Sequence, residues 1–341
     1  MVPLVPLDDL RISRLEKGKK TFEYYSIGET PLLPIQLPVG IIRGKADGPT
    51  VCVVAGEHPC EYPGIDAAIR IFNEITPEKL RGTLIVVPVV NVVGFDRATP
   101  YVCPLDNLNM AFQYPGDKTG TFSKVNAYYL EKLVHQSNYF ITLHGGEATE
   151  LLIAYGIYFR TGVEKVDRES KAMMVAFDIE YNEERGAQGY SSGKVSISLE
   201  SGALFIEAPK AGIPAFVAEV GSGWGACDED DVAAHVKGVM NVLKHLGMLD
   251  GRPLVEFPQK KMFNDVSELR VTRGGLYYPT VKLKDTVKEG QPIGHVKNLR
   301  GEIIETISSP TNGFVQLTVP RHVVNTGDMV FLIGKNLRQL E

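Results

Sequence analysis

The chain has 341 residues, of which 44% are hydrophobic and 23% are charged, and its formal net charge is −5. This composition is that of an ordinary globular protein with enough residues for one large domain and a smaller one. The mild negative charge gives no reason to expect a nucleic acid or an acidic membrane as a partner.

The beginning of the chain and its cysteines indicate a cytoplasmic protein. "MVPLVPLDDLRISRLEKGKK" lacks a basic segment followed by an apolar one, so no signal peptide is expected. No apolar run approaches the roughly 18 residues of a membrane helix. The four cysteines, which are Cys52, Cys60, Cys103 and Cys227, show no C-x-x-C spacing and are typical of reduced thiols.

Apolar runs that end in glycine or a polar residue alternate with helical patterns from about residue 46 to residue 252. Four runs predict buried strands: "TVCVVAG" (50–56), "TLIVVPVVN" (83–91), "NYFITLHGG" (138–146) and "PAFVAEVGSG" (214–223). The spacing of apolar residues predicts helices over 63–75 and 228–247, the second with acidic residues at its start and a glycine stop. The alternation predicts an α/β domain with a mixed or parallel sheet covered by helices.

The remainder of the chain has a different sequence pattern. From residue 253, short strand-like runs are separated by "RGG", "EGQPIG", "SPTNG" and "NTGD", and helical periodicity disappears. We therefore predict an N-terminal segment (1–45) that belongs to the main domain, the α/β domain itself (46–252) and a C-terminal all-β domain (253–341). The β domain is expected to pack against the rim of the main domain or to mediate homo-oligomer formation.

Each of the four predicted strands of the main domain delivers a polar residue at its carboxyl end. His58 and Glu61 follow the first strand, Asn91 the second, His144 the third and Glu219 the fourth. In open α/β sheets the ligand crevice lies outside the carboxyl ends of the strands, so these groups are expected on one rim.

Two histidines and one glutamate form a common catalytic zinc set that leaves the fourth position for water. We therefore predict one Zn²⁺ per chain, bound by His58, Glu61 and His144, with Glu219 free to activate the zinc-bound water and protonate the leaving group. Each motif alone has a simpler reading: H-x-x-E is frequent by chance, and His144 could merely end a strand. His235 and His245 lie on the predicted helix 228–247 and are expected at or near the surface.

Several motifs together resemble a known family. "GEHPCEYPG", "NVVGF", "RATPYVCPLDNLN", "YPG", "TLHGG" and "GIPAFVAEVGSG" are similar, in order, to the succinylglutamate desuccinylase/aspartoacylase family of zinc hydrolases, related in fold to zinc carboxypeptidases. The resemblance runs from about residue 30 to the C-terminus. It implies a zinc-carboxypeptidase-like mixed α/β fold with a barrel-like C-terminal β domain, and it implies the same three ligands and the same general base.

The chain departs from the family pattern at two places. Ala111 and Phe112 stand where the family carries an Asn-Arg pair that helps to bind a substrate carboxylate, and Thr142 replaces the usual aspartate two residues before the third ligand. A threonine hydroxyl cannot place a negative charge behind the imidazole. Arg97 is the candidate for polarising the scissile carbonyl, although a surface arginine is an equally good reading.

The ligand set and Glu219 predict a zinc hydrolase, and the resemblance implies a zinc-dependent amidohydrolase that removes a small acyl group from an N-acylated amine or amino-acid derivative. Asn91 and Asn109 are predicted to bind this small-molecule substrate, and no nucleic acid or membrane partner is expected. Two alternatives stay open: a metallocarboxypeptidase, and a degenerate family member that binds a metal or small ligand without hydrolysing it.

Overall fold

The structure is a computed structural model that describes residues 5–147, 149–186, 202–223 and 226–340. The α-helices of these residues are α1 (Tyr62–Glu74), α2 (Val92–Asp96), α3 (Phe122–Val134), α4 (Glu164–Phe177), α5 (Leu204–Lys210) and α6 (Glu229–His245). Short 3₁₀ helices span Leu7–Asp9, Ile12–Arg14 and Met110–Phe112. None of the described helices combines the length and the apolar character needed to cross a membrane.

The strands of the first two thirds of the described chain, apart from the short strand Leu151–Leu152, build most of one large sheet. They are β1 (Val5–Pro6), β2 (Lys19–Glu29), β3 (Pro34–Arg43), β4 (Ala46–Ala55), β5 (Arg81–Val87), β6 (Tyr139–His144), β7 (Leu151–Leu152), β8 (Tyr155–Arg160), β9 (Tyr181–Gly186) and β10 (Ala215–Glu219). Strand β5 ends immediately before Pro88, which cannot donate a ladder hydrogen bond.

The C-terminal strands build two smaller antiparallel sheets and add an edge to the large one. They are β11 (Lys261–Phe263), β12 (Asp265–Arg270), β13 (Gly275–Pro279), β14 (Thr286–Val287), β15 (Pro292–Lys297), β16 (Ile303–Ser308), β17 (Gly313–Thr318), β18 (Val323–Val324), β19 (Met329–Lys335) and β20 (Arg338–Gln339). The sheet orders are β12-β19-β17-β14, with β7 also paired to β17, and β16-β15-β13-β18.

The large sheet has eleven strands in the order β1-β2-β3-β5-β4-β6-β10-β8-β9-β11-β20. Its centre, β5-β4-β6-β10, is parallel, whereas β3 and β8 flank this centre in antiparallel pairings. The predicted mixed α/β sheet with a smaller C-terminal β region is therefore confirmed. The boundaries at residues 45 and 252 stay predictions, because β11 and β20 extend the large sheet while β7 pairs with a strand of the smaller one.

Both faces of the sheet centre are buried, as a parallel sheet requires. Along β4, Val51, Val53 and Ala55 face a core that includes α1, α4 and α6. Cys52 and Val54 face a second core that includes α3 and α5. This alternation follows from the period of two in a strand, and it explains why β4 reads as an unbroken apolar run.

Candidate metal centre

The three predicted ligands come together at the carboxyl ends of β4 and β6. These strands are parallel neighbours, with Ala55 opposite Leu143, so that the turn after β4 and the last residue of β6 meet. Gly56 adopts a φ of +67°, a conformation that glycine tolerates without strain, and it turns the chain toward His58. Glu61 directly precedes α1, and His144 is the last residue of β6.

The ligand atoms converge. One nitrogen from each of His58 and His144 and one carboxylate oxygen of Glu61 lie within 4.8 Å of one another, and all three residues are buried. His58 Nδ1 is 2.7 Å from Glu61 Oε1, and His144 Nδ1 is 2.9 Å from Glu61 Oε2. Glu61 Oε2 is nevertheless without a well-formed hydrogen bond among the described residues. Two imidazoles and a carboxylate are a donor set that suits a divalent transition metal, so these residues fit a metal ion.

The charges of the three side chains are strongly coupled. Burial disfavours the charged imidazole of His58, but the carboxylates of Glu61 and Glu147 outweigh burial and raise its pKa to about 9. Burial likewise disfavours the Glu61 carboxylate, yet the two imidazoles hold its pKa down at about 2. A metal cation bound here would replace the imidazole protons as the positive charge beside Glu61, so its binding is coupled to proton release.

Glu219, the predicted base, is the last residue of β10. Strand β10 lies parallel to β6, and the register places Glu219 directly opposite His144. Burial, together with the nearby carboxylates of Glu61 and Glu150, raises the pKa of Glu219 to about 8, although His144 works in the opposite direction. A carboxyl group with a raised pKa is suited to accepting and donating a proton near neutral pH.

A cavity of about 260 Å³ opens onto these groups. Its carboxylates include those of Glu147, Glu150 and Glu219, while much of the remaining wall is apolar. Part of that apolar wall comes from the C-terminal strands, through Leu317, Met329 and Leu332. A larger cavity of about 340 Å³ lies elsewhere and is lined by none of the predicted site residues.

A glutamate that the sequence reasoning missed lies behind His144. Glu57 is 3% exposed, and its Oε2 accepts hydrogen bonds from His144 Nε2 and from the Thr142 hydroxyl, both at 3.0 Å. Its Oε1 accepts a hydrogen bond from the Tyr114 hydroxyl at 2.7 Å. Burial raises the pKa of Glu57, but His144 and Tyr114 outweigh it, so the pKa lies below its ordinary value. The sequence feature that could have identified Glu57 was an acidic residue between a predicted apolar strand and the predicted ligand His58.

A sequence model of the succinylglutamate desuccinylase/aspartoacylase catalytic domain matches residues 47–246 of the chain. The chain belongs to this family. It is 25% identical over 313 residues to the N-alpha-acetyl-L-2,4-diaminobutyric acid deacetylase of Halomonas elongata, a match that covers 90% of this chain and 87% of the relative.

Two solved structures have the same fold as this chain. The product-bound ectoine utilization protein EutE (DoeB) of Ruegeria pomeroyi superposes with a TM-score of 0.83 at 21% identity, covering 94% of this chain and 97% of that one. A succinylglutamate desuccinylase/aspartoacylase of Rhodobacter sphaeroides gives a TM-score of 0.82 at 20% identity, covering 96% and 98%. Both matches extend well beyond the catalytic domain.

The structure places the three remaining predicted site residues in different surroundings. Asn109 lies behind His58: its Oδ1 is 3.2 Å from His58 Nε2, and its amide nitrogen donates to the Tyr101 hydroxyl at 2.6 Å. Asn91 is fully buried and caps α2 by accepting a hydrogen bond from Gly94. Arg97 follows α2 and is exposed. None of these three residues lines the cavity, so their roles toward substrate stay predictions without support from their positions.

The expectation that His235 lies at or near the surface is wrong. His235 is fully buried on the inner face of α6, and its Nε2 donates to the carbonyl of Val220 at 3.1 Å. It occupies the same apolar stripe as Val232, Val239 and Val242, a spacing of three, four and three residues that already predicts a core-facing position. His245, at the end of the same helix, is exposed as expected.

Proposed function

We propose that this chain is a zinc-dependent amidohydrolase that removes a small acyl group from an N-acylated amine or amino-acid derivative. The observation that carries the proposal is the convergence of His58, Glu61 and His144 beside Glu219, all on one cavity. The Halomonas relative is named as a deacetylase of an N-acetylated diamino acid, which supports deacylation over peptide cleavage.

The proposed chemistry assigns a role to each group. His58, Glu61 and His144 would hold the zinc ion, which would act as a Lewis acid toward the amide carbonyl and lower the pKa of water toward about 7. Glu219 takes a proton from the attacking water and delivers it to the leaving nitrogen. The carbon–oxygen bond to the water oxygen forms first and gives a tetrahedral oxyanion, which collapses as the carbon–nitrogen bond breaks and releases a carboxylic acid and an amine.

Tyr101 is better placed than Arg97 to contact the substrate carbonyl. It lines the cavity, and its ring stacks on His58 with 5.0 Å between ring centroids. Because its hydroxyl oxygen accepts a hydrogen bond from Asn109, the hydroxyl proton is left to donate toward a substrate. We therefore propose Tyr101 as the oxyanion donor of the described cavity.

The charges of the cavity favour a substrate without a carboxylate near the metal. Ala111 and Phe112, at the family's Asn-Arg positions, line the cavity and offer no charge. Among the described lining residues, Arg185 is the one arginine or lysine, and its guanidinium donates to the Glu183 carboxylate at 2.9 and 3.1 Å. An anionic substrate would also face the carboxyl groups of Glu147 and Glu150, whose pKa values burial and neighbouring carboxylates raise to about 8 and about 7. A substrate anion would be repelled by each of them that is ionised, whereas a cation would favour their ionised form.

The first experiment is elemental analysis of untagged protein together with three variants: His144→Ala, Glu219→Ala and, as a matched control, His245→Ala. The wild type and the control should hold about one zinc per chain, and His144→Ala should lose most of it. Glu219→Ala should keep zinc but lose turnover of N-acetylated amines by roughly 10²- to 10⁴-fold.

Three outcomes would contradict the proposal. Absence of zinc from the wild type, with no uptake on titration, refutes the metal site and with it the hydrolase. Full turnover by Glu219→Ala removes Glu219 from the mechanism. Release of C-terminal residues from peptides, with no action on N-acylated amines, indicates a metallocarboxypeptidase instead.

A further inference from the structure

Family resemblance and geometry disagree about the carboxylate behind the third ligand. Where the family carries an aspartate two residues before this histidine, the chain has Thr142, whose hydroxyl bears no charge. The structure nevertheless brings a carboxylate to His144, because Glu57 Oε2 lies 3.0 Å from His144 Nε2. This carboxylate comes from the turn that follows β4, the strand next to the one that carries His144.

We infer that Glu57 is the positioning residue of the third ligand and replaces the missing aspartate from the turn after a neighbouring strand. The inference rests on the proposed zinc site. The carboxylate accepts the proton of His144 Nε2, so that Nδ1, which faces Glu61, is the nitrogen left to bind the metal. Such a carboxylate fixes the orientation and tautomer of a histidine ligand and raises its basicity.

The surroundings of Glu57 are built to hold a buried carboxylate in one orientation. Tyr114 and Thr142 donate to its two oxygens from separate parts of the chain, and both are themselves buried, at 4% and 1% exposure. A buried charge without such partners would be strongly unfavourable. Thr142 therefore has a role that its chemistry alone did not reveal: it orients the carboxylate that orients His144.

The two histidines receive different support. His58 Nε2 faces the neutral amide oxygen of Asn109, whereas His144 Nε2 faces the charged carboxylate of Glu57. A charge-assisted hydrogen bond is about twice as strong as one between neutral groups. We therefore expect zinc affinity to depend more on Glu57 than on Asn109. A general contribution of both residues to folding would not produce this difference in zinc affinity.

The test is zinc affinity of the full-length protein, measured by competition with a chelator so that turnover is not needed. Glu57→Gln should weaken zinc binding by roughly 10- to 100-fold, and Asn109→Ala by less. In the Glu57→Gln background, Thr142→Asp should restore most of the affinity, because residues 142 and 144 point to the same face of β6. The ring nitrogens of His144, observed by NMR in the zinc-bound wild type, should show the proton on Nε2.

Recovery of zinc affinity by a carboxylate at position 142 would show that Glu57 positions His144 and does not merely support folding. If Glu57→Gln does not fold, the Glu57→Gln/Thr142→Asp variant and Tyr114→Phe, which removes one donor but keeps the charge, carry the test. The inference is overturned if Glu57→Gln binds zinc as the wild type does, or if the folded double variant stays as weak as the folded single one. Wild-type protein that binds no zinc refutes the proposed function, and the inference then falls with it.

Discussion

The buried imidazole of His235 predicts a specific dependence of stability on pH. Burial lowers its pKa to about 4 from an ordinary value of 6.5, although the hydrogen bond to the Val220 carbonyl opposes this shift. Nδ1 has no hydrogen-bond partner among the described residues, which fits a neutral ring. Replacing His235 by glutamine keeps an N–H donor for Val220 and removes the titrating group.

The sign and size of the effect follow from linkage. Between pH 6.5 and about 4 the unfolded chain binds a proton at His235 that the folded chain does not bind, so folding loses stability as the pH falls through this window. Above pH 6.5 the group has no effect, and below pH 4 the loss is complete. At about 1.4 kcal/mol for each pH unit, the largest loss is roughly 3 kcal/mol.

The assay is urea unfolding of metal-free protein at pH 7.5 and pH 4.5, for the wild type, His235→Gln and the exposed control His245→Gln. Between the two conditions the wild type and the control should lose about 2 to 3 kcal/mol more free energy of unfolding than His235→Gln does. Taking the difference between proteins cancels every other titrating group. Equal losses in all three proteins would show that His235 is not held neutral, and the reasoning from burial would be wrong.

Three further predictions follow from the cavity and the core. N-acetylputrescine, which is cationic, should be hydrolysed with a higher kcat/KM than neutral N-acetylbutylamine, and Glu150→Gln should reduce this preference by about tenfold. A preference for the anionic N-acetyl-4-aminobutyrate would refute the charge argument. Phe112→Arg should shift kcat/KM toward that anionic substrate, whereas an unchanged ratio would place Phe112 outside substrate contact. Gly238→Ala should lower the free energy of unfolding by about 1 to 3 kcal/mol, measured in urea, because its methyl group would lie 2.3 Å from the Phe177 ring; unchanged stability would mean that the ring moves aside at no cost.

The sequence was most informative where residues with metal-binding or proton-transferring side chains stand at the ends of predicted strands. His58, Glu61, His144 and Glu219 were all singled out because each follows or ends an apolar run, and the structure brings all four to one cavity. Helices and strands were predicted from the spacing of apolar residues and from the glycine, proline and polar residues that end each run. Both signals depend on local sequence alone. The family resemblance was specific because it rested on several motifs in order.

What the sequence did not reveal depends on which strands are neighbours. Glu57 looked like one more residue of a polar turn, and its role is visible only once β4 lies beside β6 and Tyr114 is packed against it. The contribution of Leu317 and Met329 to the cavity depends on how the C-terminal strands fold back onto the main sheet. Local patterns carry little information about such long-range pairing, since the same apolar run satisfies several strand orders.

The register between β6 and β10 is the feature on which the proposed catalysis depends. Glu219 lies opposite His144, so the base and the third ligand are fixed relative to each other by backbone hydrogen bonds and not by flexible loops. A slip of one residue would turn Glu219 to the opposite face of the sheet, toward the core that includes α1, α4 and α6. Such a slip would also move Phe216 and Ala218 out of one apolar core and Ala215 out of the other, because each residue would turn to the opposite face. The two apolar cores that stabilise the sheet therefore also hold the proposed base in position.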